Sequence, residues 1–289
     1  MRLTEHKRRI VVGDIHGELE GFIEIIRDAG LIDDRDHWSG RDDILIQTGD
    51  VIDRGPHSME AFDLLKRLQK EAALAGGEVI RLCGNHELML LQNDFSLADF
   101  SYPESFVDML TDEIARGDVR ASYTDGERLY THAGLRSAIR EILVNEMRSA
   151  KPESKTSKID LFLLSDHINK IFIDSIKKAD FEHPIFHVDS VRGGKDPVGG
   201  IFWCDFRSIS PSIEACKIPQ IFGHSPTRKN GVNTAKGLKL IDVDAGMCQV
   251  YGGKRVWLEI TPEGHLLQHS KTRSKWKTIH LNSASPPIG

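Results

Sequence analysis

The stretch GDVIDRG, residues 49 to 55, directly follows the apolar run Ile44-Leu45-Ile46. Two acids and an arginine within five residues can form a surface turn, because Gly and Asp favour loops and charged side chains favour water. The same residues can also form a phosphate-processing centre. One short motif does not decide between these interpretations, so the evidence has to come from the rest of the chain.

Other short apolar runs also end in clusters of Gly, Asp, Asn or His. Four runs share this pattern: 10–12 before GDIHG (13–17), 79–82 before CGNHE (83–87), 129–131 before HAG (132–134), and 221–222 before GHS (223–225). Runs this short and apolar predict buried strands. Apolar periodicity predicts helices over Leu19 to Ala29 and Ser58 to Ala75. This alternation predicts an α/β fold with a mainly parallel sheet, in which ligands bind at the carboxyl ends of the strands.

The last third of the chain has a different pattern. Lys239 to Asp244, Lys254 to Ile260 and His265 to His269 are spaced as hairpin-connected strands, which predicts a second, more antiparallel sheet. Two segments interrupt the strand pattern, at about 93–118 and 149–200, and we expect them to form a helical lid or rim. We expect a single domain over 1–289, with a disordered tail at 283–289.

Composition narrows the class of protein. The 289 residues are 39% hydrophobic and 28% charged, with a formal net charge of -5, which disfavours extended nucleic acid and membrane surfaces as partners. The charged N-terminus lacks an apolar signal region, and no stretch reaches the ~20 apolar residues of a membrane span. The four cysteines are far apart, which favours reduced thiols. We therefore expect a cytoplasmic protein.

The five predicted strand ends carry side chains that bind divalent metals. The candidate ligands are Asp14, His16, Asp50, Asn85, His132 and His224. This mixed nitrogen and oxygen set suits manganese, iron, zinc, nickel or cobalt better than calcium, and it is large enough for two ions if Asp50 bridges them. Two ions ~3.5–4 Å apart clamp phosphoryl oxygens and acidify a bridging water into a nucleophile.

Three further residues supply the other groups that phosphate-ester hydrolysis needs. Arg54 offers a fork of N–H donors that matches phosphate oxygens. His86 is placed to protonate the leaving alkoxide, and Asp53 can orient that imidazole and raise its pKa. Candidate ligands and candidate catalytic groups therefore share the same strand ends.

GDIHG, GDVIDRG, GNHE, HAG and GH resemble, in order, the signatures of the phosphoprotein phosphatase branch of the calcineurin-like metallophosphoesterases. The resemblance runs from residue 13 to residue 225. It implies a four-layer α-β-β-α sandwich of two mixed sheets with helical insertions and a dinuclear centre. Asp14, His16 and His224 would hold one ion, and Asn85, His132 and a shared Asp50 the other. Arg54 would contact phosphate, and His86 with Asp53 would supply the acid.

Two departures from the family pattern affect the substrate assignment. The chain has Cys83 where the eukaryotic serine/threonine enzymes have Arg, and HAG where they have HGG. The second phosphate-binding arginine of the family is best matched by Arg207, with Arg192 and Arg136 as competitors. The pattern LCGNHELMLL is most similar to the Shewanella-like phosphatases, a bacterial-type subgroup in which tyrosine phosphatase activity is known.

The predicted function is a phosphomonoesterase acting on phosphoserine, phosphothreonine or phosphotyrosine in proteins, by in-line attack of a metal-bridging hydroxide. Manganese is the expected metal. A diadenosine tetraphosphatase or other nucleotide phosphoesterase is the first alternative, and Asp53 argues against it. An inactive metal-binding regulatory protein is the second, and the intact motifs argue against it. We expect Glu87 to be structural, His57 to lie on the rim, and Asp242 and Asp244 to shape a loop.

Overall fold

The computed structural model describes residues 7–101, 103–150 and 159–281. The strands in these ranges are β1 (Arg9–Val12), β2 (Ile44–Gln47), β3 (Glu78–Leu82), β4 (Val119–Arg120), β5 (Ser122–Thr124), β6 (Leu129–Thr131), β7 (Gln220–Phe222), β8 (Asn233–Ala235), β9 (Leu240–Asp242), β10 (Val256–Ile260), β11 (Leu266–Thr272) and β12 (Lys275–His280). The α-helices are α1 (Leu19–Asp28), α2 (Ser58–Ala75), α3 (Asn85–Leu91), α4 (Pro103–Arg116), α5 (Ser137–Ala150), α6 (Leu161–Lys178) and α7 (Phe206–Ile209).

The strands form two mixed sheets. The first has the order β12-β11-β10-β1-β2-β3-β4, in which β1 to β4 are parallel and β10 to β12 antiparallel. The second has the order β5-β6-β7-β9-β8, with β6, β7 and β9 parallel. Within each sheet, the parallel strands place their carboxyl ends along one edge. The predicted α/β architecture of two mixed sheets is confirmed.

Alternation along the strands builds the layers. Val11, Ile46 and Ile80 face the second sheet and pack with Tyr130 and Ile221 in an apolar layer between the sheets. Their neighbours in the chain point the opposite way, because successive side chains of a strand alternate between its faces. On that outer face the first sheet is covered by α1 and α2, whose buried residues join the same core. The arrangement is the expected α-β-β-α sandwich.

The two predicted excursions contain α4 and α6, but α6 is not a loose lid. Leu164, Ile168 and Phe172 on α6 are fully buried, because an apolar helix face has to be covered. Asn169 Oδ1 accepts hydrogen bonds from the backbone N–H groups of Ala121 (2.9 Å) and Ser122 (3.0 Å). The helix is therefore part of the outer layer over β5 and not a cover for the strand ends.

The last third of the chain pairs differently from the prediction. Of the strands after β7, only β8 and β9 join the second sheet, where β9 is parallel to β7, while β10, β11 and β12 extend the first sheet beside β1. Both faces of β10 are apolar and buried, with Leu258 facing the second sheet and Trp257 the helices, as suits an interior strand. Sequence spacing predicts the hairpin between β10 and β11 but not the strand with which it pairs.

Some predictions fall on residues outside the described ranges. The expected disordered tail, 283–289, and residues 151–158 of the second predicted excursion are among them. The single domain over 1–289 stays a prediction. In the parts of the chain that the structure describes, we find no helix with the length and apolar character needed to cross a membrane.

We expect Glu259→Gln to lower the free energy of unfolding near neutral pH by about 1–2 kcal/mol, because charged hydrogen bonds are lost. Glu259 accepts from His269 Nε2 (2.9 Å) and Arg8 Nε (2.8 Å). The hydrogen bonds from His269 and Arg8 lower its pKa to about 2, from an ordinary 4.5. A carboxylate whose pKa is lower in the folded state than in the unfolded state stabilises the fold above its ordinary pKa. This stabilisation is lost as the pH falls toward the folded-state pKa. The stability gap to wild type, measured by urea denaturation, should therefore shrink between about pH 4.5 and about pH 2. A gap that is constant with pH contradicts this assignment.

Candidate metal centre

The six predicted ligands meet in the crevice where the two sheets open. Asp14 and His16 follow β1, Asp50 follows β2, and Asn85 begins the helix after β3. His132 follows β6 and His224 follows β7, so these two come from the second sheet. All six side chains are buried. The parallel strands thus bring together groups that are up to 210 residues apart in the chain.

Asp50 lies at the middle of the group. Its Oδ2 is 3.5 Å from His16 Nε2 and 3.6 Å from His132 Nε2. His132 Nε2 in turn approaches Asn85 Oδ1 and His224 Nδ1, each to 3.0 Å. Two three-residue groups have their ligand atoms within 4.8 Å of one another, His16-Asp50-His86 and Asp50-His132-His224. Both groups contain Asp50, as a bridging ligand requires.

The imidazoles are held in the form that binds a cation. His16 Nδ1 lies 3.0 Å from the carbonyl of Ile52, and His132 Nδ1 lies 2.8 Å from the carbonyl of Thr48. A ring that donates from Nδ1 presents a lone pair at Nε2, which is the usual outer support of a metal-binding histidine. Burial lowers the pKa of His16 to about 3 and also lowers the pKa of His132. Both rings are therefore neutral and able to act as ligands.

The donor set fits divalent cations. Carboxylate, amide and imidazole acceptors converge, and His224 Nε2 is buried without a hydrogen-bond partner among the described residues. Burial, together with the charges of Asp244 and Asp50, raises the pKa of Asp14 well above its ordinary value. Positive charge stabilises such a cluster of buried acceptors. Arg54 supplies one positive charge, since its Nη1 donates to His16 Nε2 at 2.5 Å, and bound divalent cations would supply more.

Two glycines make room for the carboxylates. A Cβ on Gly84 would lie 2.1 Å from Asp50 Oδ1, and one on Gly223 would lie 2.4 Å from Asp14 Oδ1. Neither contact is compatible with a side chain. The glycines of GNHE and GHS are therefore needed for the close approach of loop and ligand.

The loops that carry the site have an unusual backbone. Five non-glycine residues adopt positive φ angles: His16 (49°), Asp50 (55°), Asp53 (67°), Arg54 (73°) and His224 (75°). Each such residue costs of order 1–3 kcal/mol, and such residues cluster at functional sites. The surrounding hydrogen bonds have to offset this cost.

Glu87 provides much of that support. Its carboxylate accepts hydrogen bonds from the backbone N–H groups of Asp50 (3.0 Å), Val51 (2.8 Å) and Gly84 (2.8 Å). It thereby joins the GDVIDRG and GNHE loops, and the predicted structural role is confirmed. Gln47 acts similarly, since its side chain donates to the carbonyl of Gly49 (2.7 Å) and accepts from the Gly49 N–H (3.0 Å).

We expect Glu87→Gln to weaken metal binding by about ten- to hundredfold, because an amide nitrogen replaces one of the oxygens that hold the Asp50 loop. Isothermal titration with Mn²⁺ measures the change. Glu60→Gln is the matched control, because Glu60 lies exposed on α2. Unchanged affinity in Glu87→Gln would show that the Asp50 loop keeps its position without this carboxylate.

His86 and Asp53 form the predicted pair. His86 Nδ1 lies 2.7 Å from Asp53 Oδ2, and both side chains are buried. Burial by itself would lower the pKa of His86, but the charge of Asp50 and the hydrogen bond to Asp53 outweigh it and raise the pKa. His86 Nε2 faces the cluster, 4.0 Å from Asp50 Oδ2. A proton at this nitrogen is directed toward the candidate metal centre.

The structure does not bring Arg207 to the cluster. Its guanidinium donates twice to Asp205, at 2.9 and 3.0 Å, and the side chain is 77% exposed. Arg192, a competitor in the sequence, donates to the carbonyl of His224 (3.2 Å) and to Ser225 Oγ (2.9 Å). Arg192 Nε also lies 2.9 Å from Asp205, but its contacts with His224 and Ser225 place it nearer the candidate ligands than Arg207. Which arginine binds phosphate stays a prediction. Sequence spacing did not show that the short α7 helix turns Arg207 toward solvent.

Asp242 and Asp244 have the structural roles expected from the sequence, whereas a third neighbour of the site, Tyr251, was not predicted. Asp244 Oδ1 accepts from the Gly246 N–H (2.9 Å), and Asp242 Oδ1 accepts from the Asp244 N–H (3.0 Å), so both shape their loop as predicted. Tyr251 was missed. Its ring lies 5.2 Å from the guanidinium carbon of Arg54 and 6.4 Å from the ring of His16. No pattern in the sequence connects this residue to the motifs.

Comparison with known proteins agrees with this geometry. The profile of the family described as calcineurin-like phosphoesterase matches residues 7–228. Shewanella-like protein phosphatase 2 of Arabidopsis thaliana is 40% identical over 94 residues, which are 32% of this chain and 24% of the relative. A symmetrical bis(5'-nucleosyl)-tetraphosphatase of Aliivibrio fischeri is 30% identical over 134 residues, which are 43% of this chain and 44% of the relative.

A solved structure matches over nearly the whole fold. The cold-active protein-tyrosine phosphatase of a psychrophilic Shewanella species superposes with a TM-score of 0.68 and 18% identity, over 96% of this chain and 80% of that one. Identity at that level shows the fold alone. The chain spans less than half the length of the two curated relatives described above. The family match over residues 7–228 and the five ordered strand-end motifs establish that the chain belongs to the calcineurin-like phosphoesterase family.

Proposed function

We propose that this chain is a dinuclear metal-dependent phosphomonoesterase that acts on phosphorylated proteins. The observation that carries the proposal is the convergence of six buried candidate ligands on Asp50, with the His86–Asp53 pair beside them. Asp14 and His16 are proposed to hold one ion, and Asn85, His132 and His224 the other, with Asp50 shared. His224 is moved from the first ion, where the sequence-based expectation put it, because its Nδ1 lies 3.0 Å from His132 Nε2 and it belongs to the Asp50-His132-His224 group. We propose manganese, which the mixed donor set accommodates.

The ions, when bound, would supply Lewis acidity toward the phosphoryl oxygens and an acidified water for in-line attack. The protein's own side chains bind the phosphate and protonate the leaving group. Arg54 binds and orients the phosphate through its N–H fork. His86 gives its proton to the leaving oxygen, and Asp53 fixes the ring so that Nε2 faces that oxygen. No side chain is used as a covalent nucleophile.

Arg192 is proposed as the second phosphate-binding arginine. We expect Arg192→Ala to lower kcat/KM by about ten- to hundredfold, because a charge-assisted contact with the phosphate is lost. Arg207→Ala should change it less than about twofold, since that side chain is exposed and its hydrogen bonds are with Asp205 and not with a candidate ligand. Steady-state kinetics on both variants decide the point. A larger loss in Arg207→Ala would restore the sequence-based choice.

The nature of the substrate is the open part of the proposal. A phosphoprotein is favoured because Asp53 is present and contacts His86, whereas the family resemblance implies that symmetrical tetraphosphatases usually lack an acid at this position. The scattered thiols, of which Cys83, Cys204 and Cys248 are buried and unpaired, support a cytoplasmic location. An inactive regulatory protein is disfavoured, because none of the candidate catalytic groups has been lost.

The test is a side-by-side rate comparison. Manganese-loaded protein is given a phosphotyrosine peptide, a phosphoserine peptide and diadenosine tetraphosphate at equal concentrations. We expect kcat/KM on at least one peptide to exceed that on the dinucleotide by more than about tenfold, which corresponds to ~1.4 kcal/mol of transition-state discrimination. A preference for the dinucleotide would overturn the substrate assignment and leave the metal-dependent hydrolysis intact.

A further inference from the structure

An open groove, formed mainly by residues of the C-terminal strands and their loops, lies beside the candidate metal centre. It lies between the loop before β10 and the turn that joins β11 to β12, and its volume is about 510 Å³. Its charged lining consists of Lys254, Arg255, Lys271, Arg273 and Glu24. We call these four cationic residues and the space between them the basic groove.

The basic groove carries an excess of positive charge. Its single acid, Glu24, is shared between Arg255 Nε (3.5 Å) and Lys271 Nζ (3.0 Å). Lys254 Nζ donates only to carbonyl oxygens, and the exposed Arg273 makes no ion pair with any described residue. Four cations therefore face one carboxylate, in a chain whose net charge is -5. Such local asymmetry attracts anionic ligands.

A second groove shows that basic residues alone do not produce this excess. It is lined by Lys66, Arg81 and Arg116 among others, and has a volume of about 550 Å³. There four of the five lining cations are paired with acids: Glu113 pairs with Lys66 and Arg81, Asp118 with Arg116, and Glu78 with Arg120. Its excess of positive charge is smaller, five cations against three acids, so it serves as the control surface.

The basic groove adjoins the candidate metal centre. Its lining includes Gly252, the residue after Tyr251, and the ring of Tyr251 lies 5.2 Å from the guanidinium carbon of Arg54. Lys254 Nζ donates to the carbonyl of Tyr251 (2.9 Å) and to that of Thr227 (2.7 Å), three residues beyond His224. Since consecutive Cα atoms are about 3.8 Å apart, a peptide bound at Arg54 reaches the groove within a few residues.

We propose that the basic groove binds acidic side chains that flank the phosphorylated residue of a protein substrate. The proposal rests on the proposed function and names its substrate class more narrowly, as acidic phosphopeptides. Aspartate and glutamate carboxylates are the natural partners of Lys and Arg donors. No aromatic side chain lines the groove, so it offers no stacking surface for nucleotide bases.

Kinetics test the proposal on the holoenzyme. One phosphotyrosine peptide carries glutamates on both sides of the phosphorylated residue, and a second carries glutamines in their place. We expect wild type to favour the glutamate peptide by about five- to tenfold in kcat/KM at low salt, with the preference falling as salt is added. Arg273→Glu should abolish the preference and leave the rate on p-nitrophenyl phosphate unchanged. Lys70→Glu, the same charge change on the control surface, should keep it.

Three kinetic outcomes would overturn the proposal. The first is a wild type that hydrolyses both peptides equally well, and the second is an Arg273→Glu variant that keeps the preference. Equal loss on p-nitrophenyl phosphate and on the glutamate peptide would also contradict it, because the substitution would then act through the catalytic centre.

A binding measurement separates this inference from the catalytic one. A fluorescein-labelled, glutamate-rich peptide without phosphate is titrated with wild type and with Arg273→Glu, and its anisotropy is followed. Binding that is lost in Arg273→Glu supports the groove even if no phosphatase activity is found, in which case the proposed function alone fails. Absence of peptide binding to wild type would overturn the acidic-peptide assignment. So would an oligothymidylate of equal charge that binds wild type more tightly than the peptide does and loses this binding in Arg273→Glu.

Discussion

Asp50→Asn is expected to lower the rate of phosphoester hydrolysis by at least about a thousandfold, because a shared ligand worth several kcal/mol of charge stabilisation is lost. The physical reason is the position of Asp50. Its Oδ2 lies within 3.6 Å of both His16 Nε2 and His132 Nε2, and it belongs to both candidate ligand groups. An amide of the same shape keeps the packing but removes the negative charge.

The measurement combines the rate on p-nitrophenyl phosphate with the number of Mn²⁺ ions bound. We expect fewer bound ions in Asp50→Asn than in wild type, with the melting temperature of the metal-free protein little changed. Asp63→Asn, which makes the same chemical change at an exposed position on α2, is the control and should match wild type. An Asp50→Asn variant with full metal content and full activity contradicts the assignment.

His86→Ala is expected to lower kcat by about a hundredfold to ten-thousandfold on a phosphoserine peptide, which is the usual value of a positioned general acid. The loss should be much smaller on p-nitrophenyl phosphate, because nitrophenolate leaves without needing a proton. His57→Ala is the control, since His57 is half-exposed and pairs with Glu60 at 3.6 Å. An equal loss on both substrates would show that His86 acts in some other way than by protonating the leaving group.

Asp53→Asn tests the second member of the pair through the pH profile. Asp53 accepts from His86 Nδ1 and helps to raise the pKa of that ring, so its loss should lower the pKa. The acid form of His86 is then lost at lower pH, and the falling alkaline limb of the kcat profile should move to lower pH. Mn²⁺ binding should stay close to wild type. A profile that does not move, or that moves to higher pH, contradicts the proposed role of Asp53.

The candidate ligands could be predicted from the sequence because each depends on local information. An apolar run followed by Gly and a polar residue specifies a strand that ends at the sheet edge, and parallel strands bring such ends together. The six residues come together as expected. Their roles as ligands stay a prediction that the metal measurements test.

The parts that sequence did not predict depend on contacts between distant segments. The β10 to β12 strands could have joined either sheet, and the burial of Trp257 and Leu258 on opposite faces of β10 decides for the first. Arg192 is chosen over Arg207 by contacts with His224 and Ser225, which spacing does not encode. Tyr251 reaches Arg54 only through the folded loop before β10.

The most direct test of the central claim is a metal titration of the chelator-treated protein, in which bound Mn²⁺ and the rate of p-nitrophenyl phosphate hydrolysis are measured on the same samples. A dinuclear centre predicts that the rate stays low through the first bound equivalent, rises with the second and then becomes constant. Asp50→Asn sets the background. A rate that never exceeds this background while two equivalents are bound would contradict the account, and so would full activity in the metal-free protein.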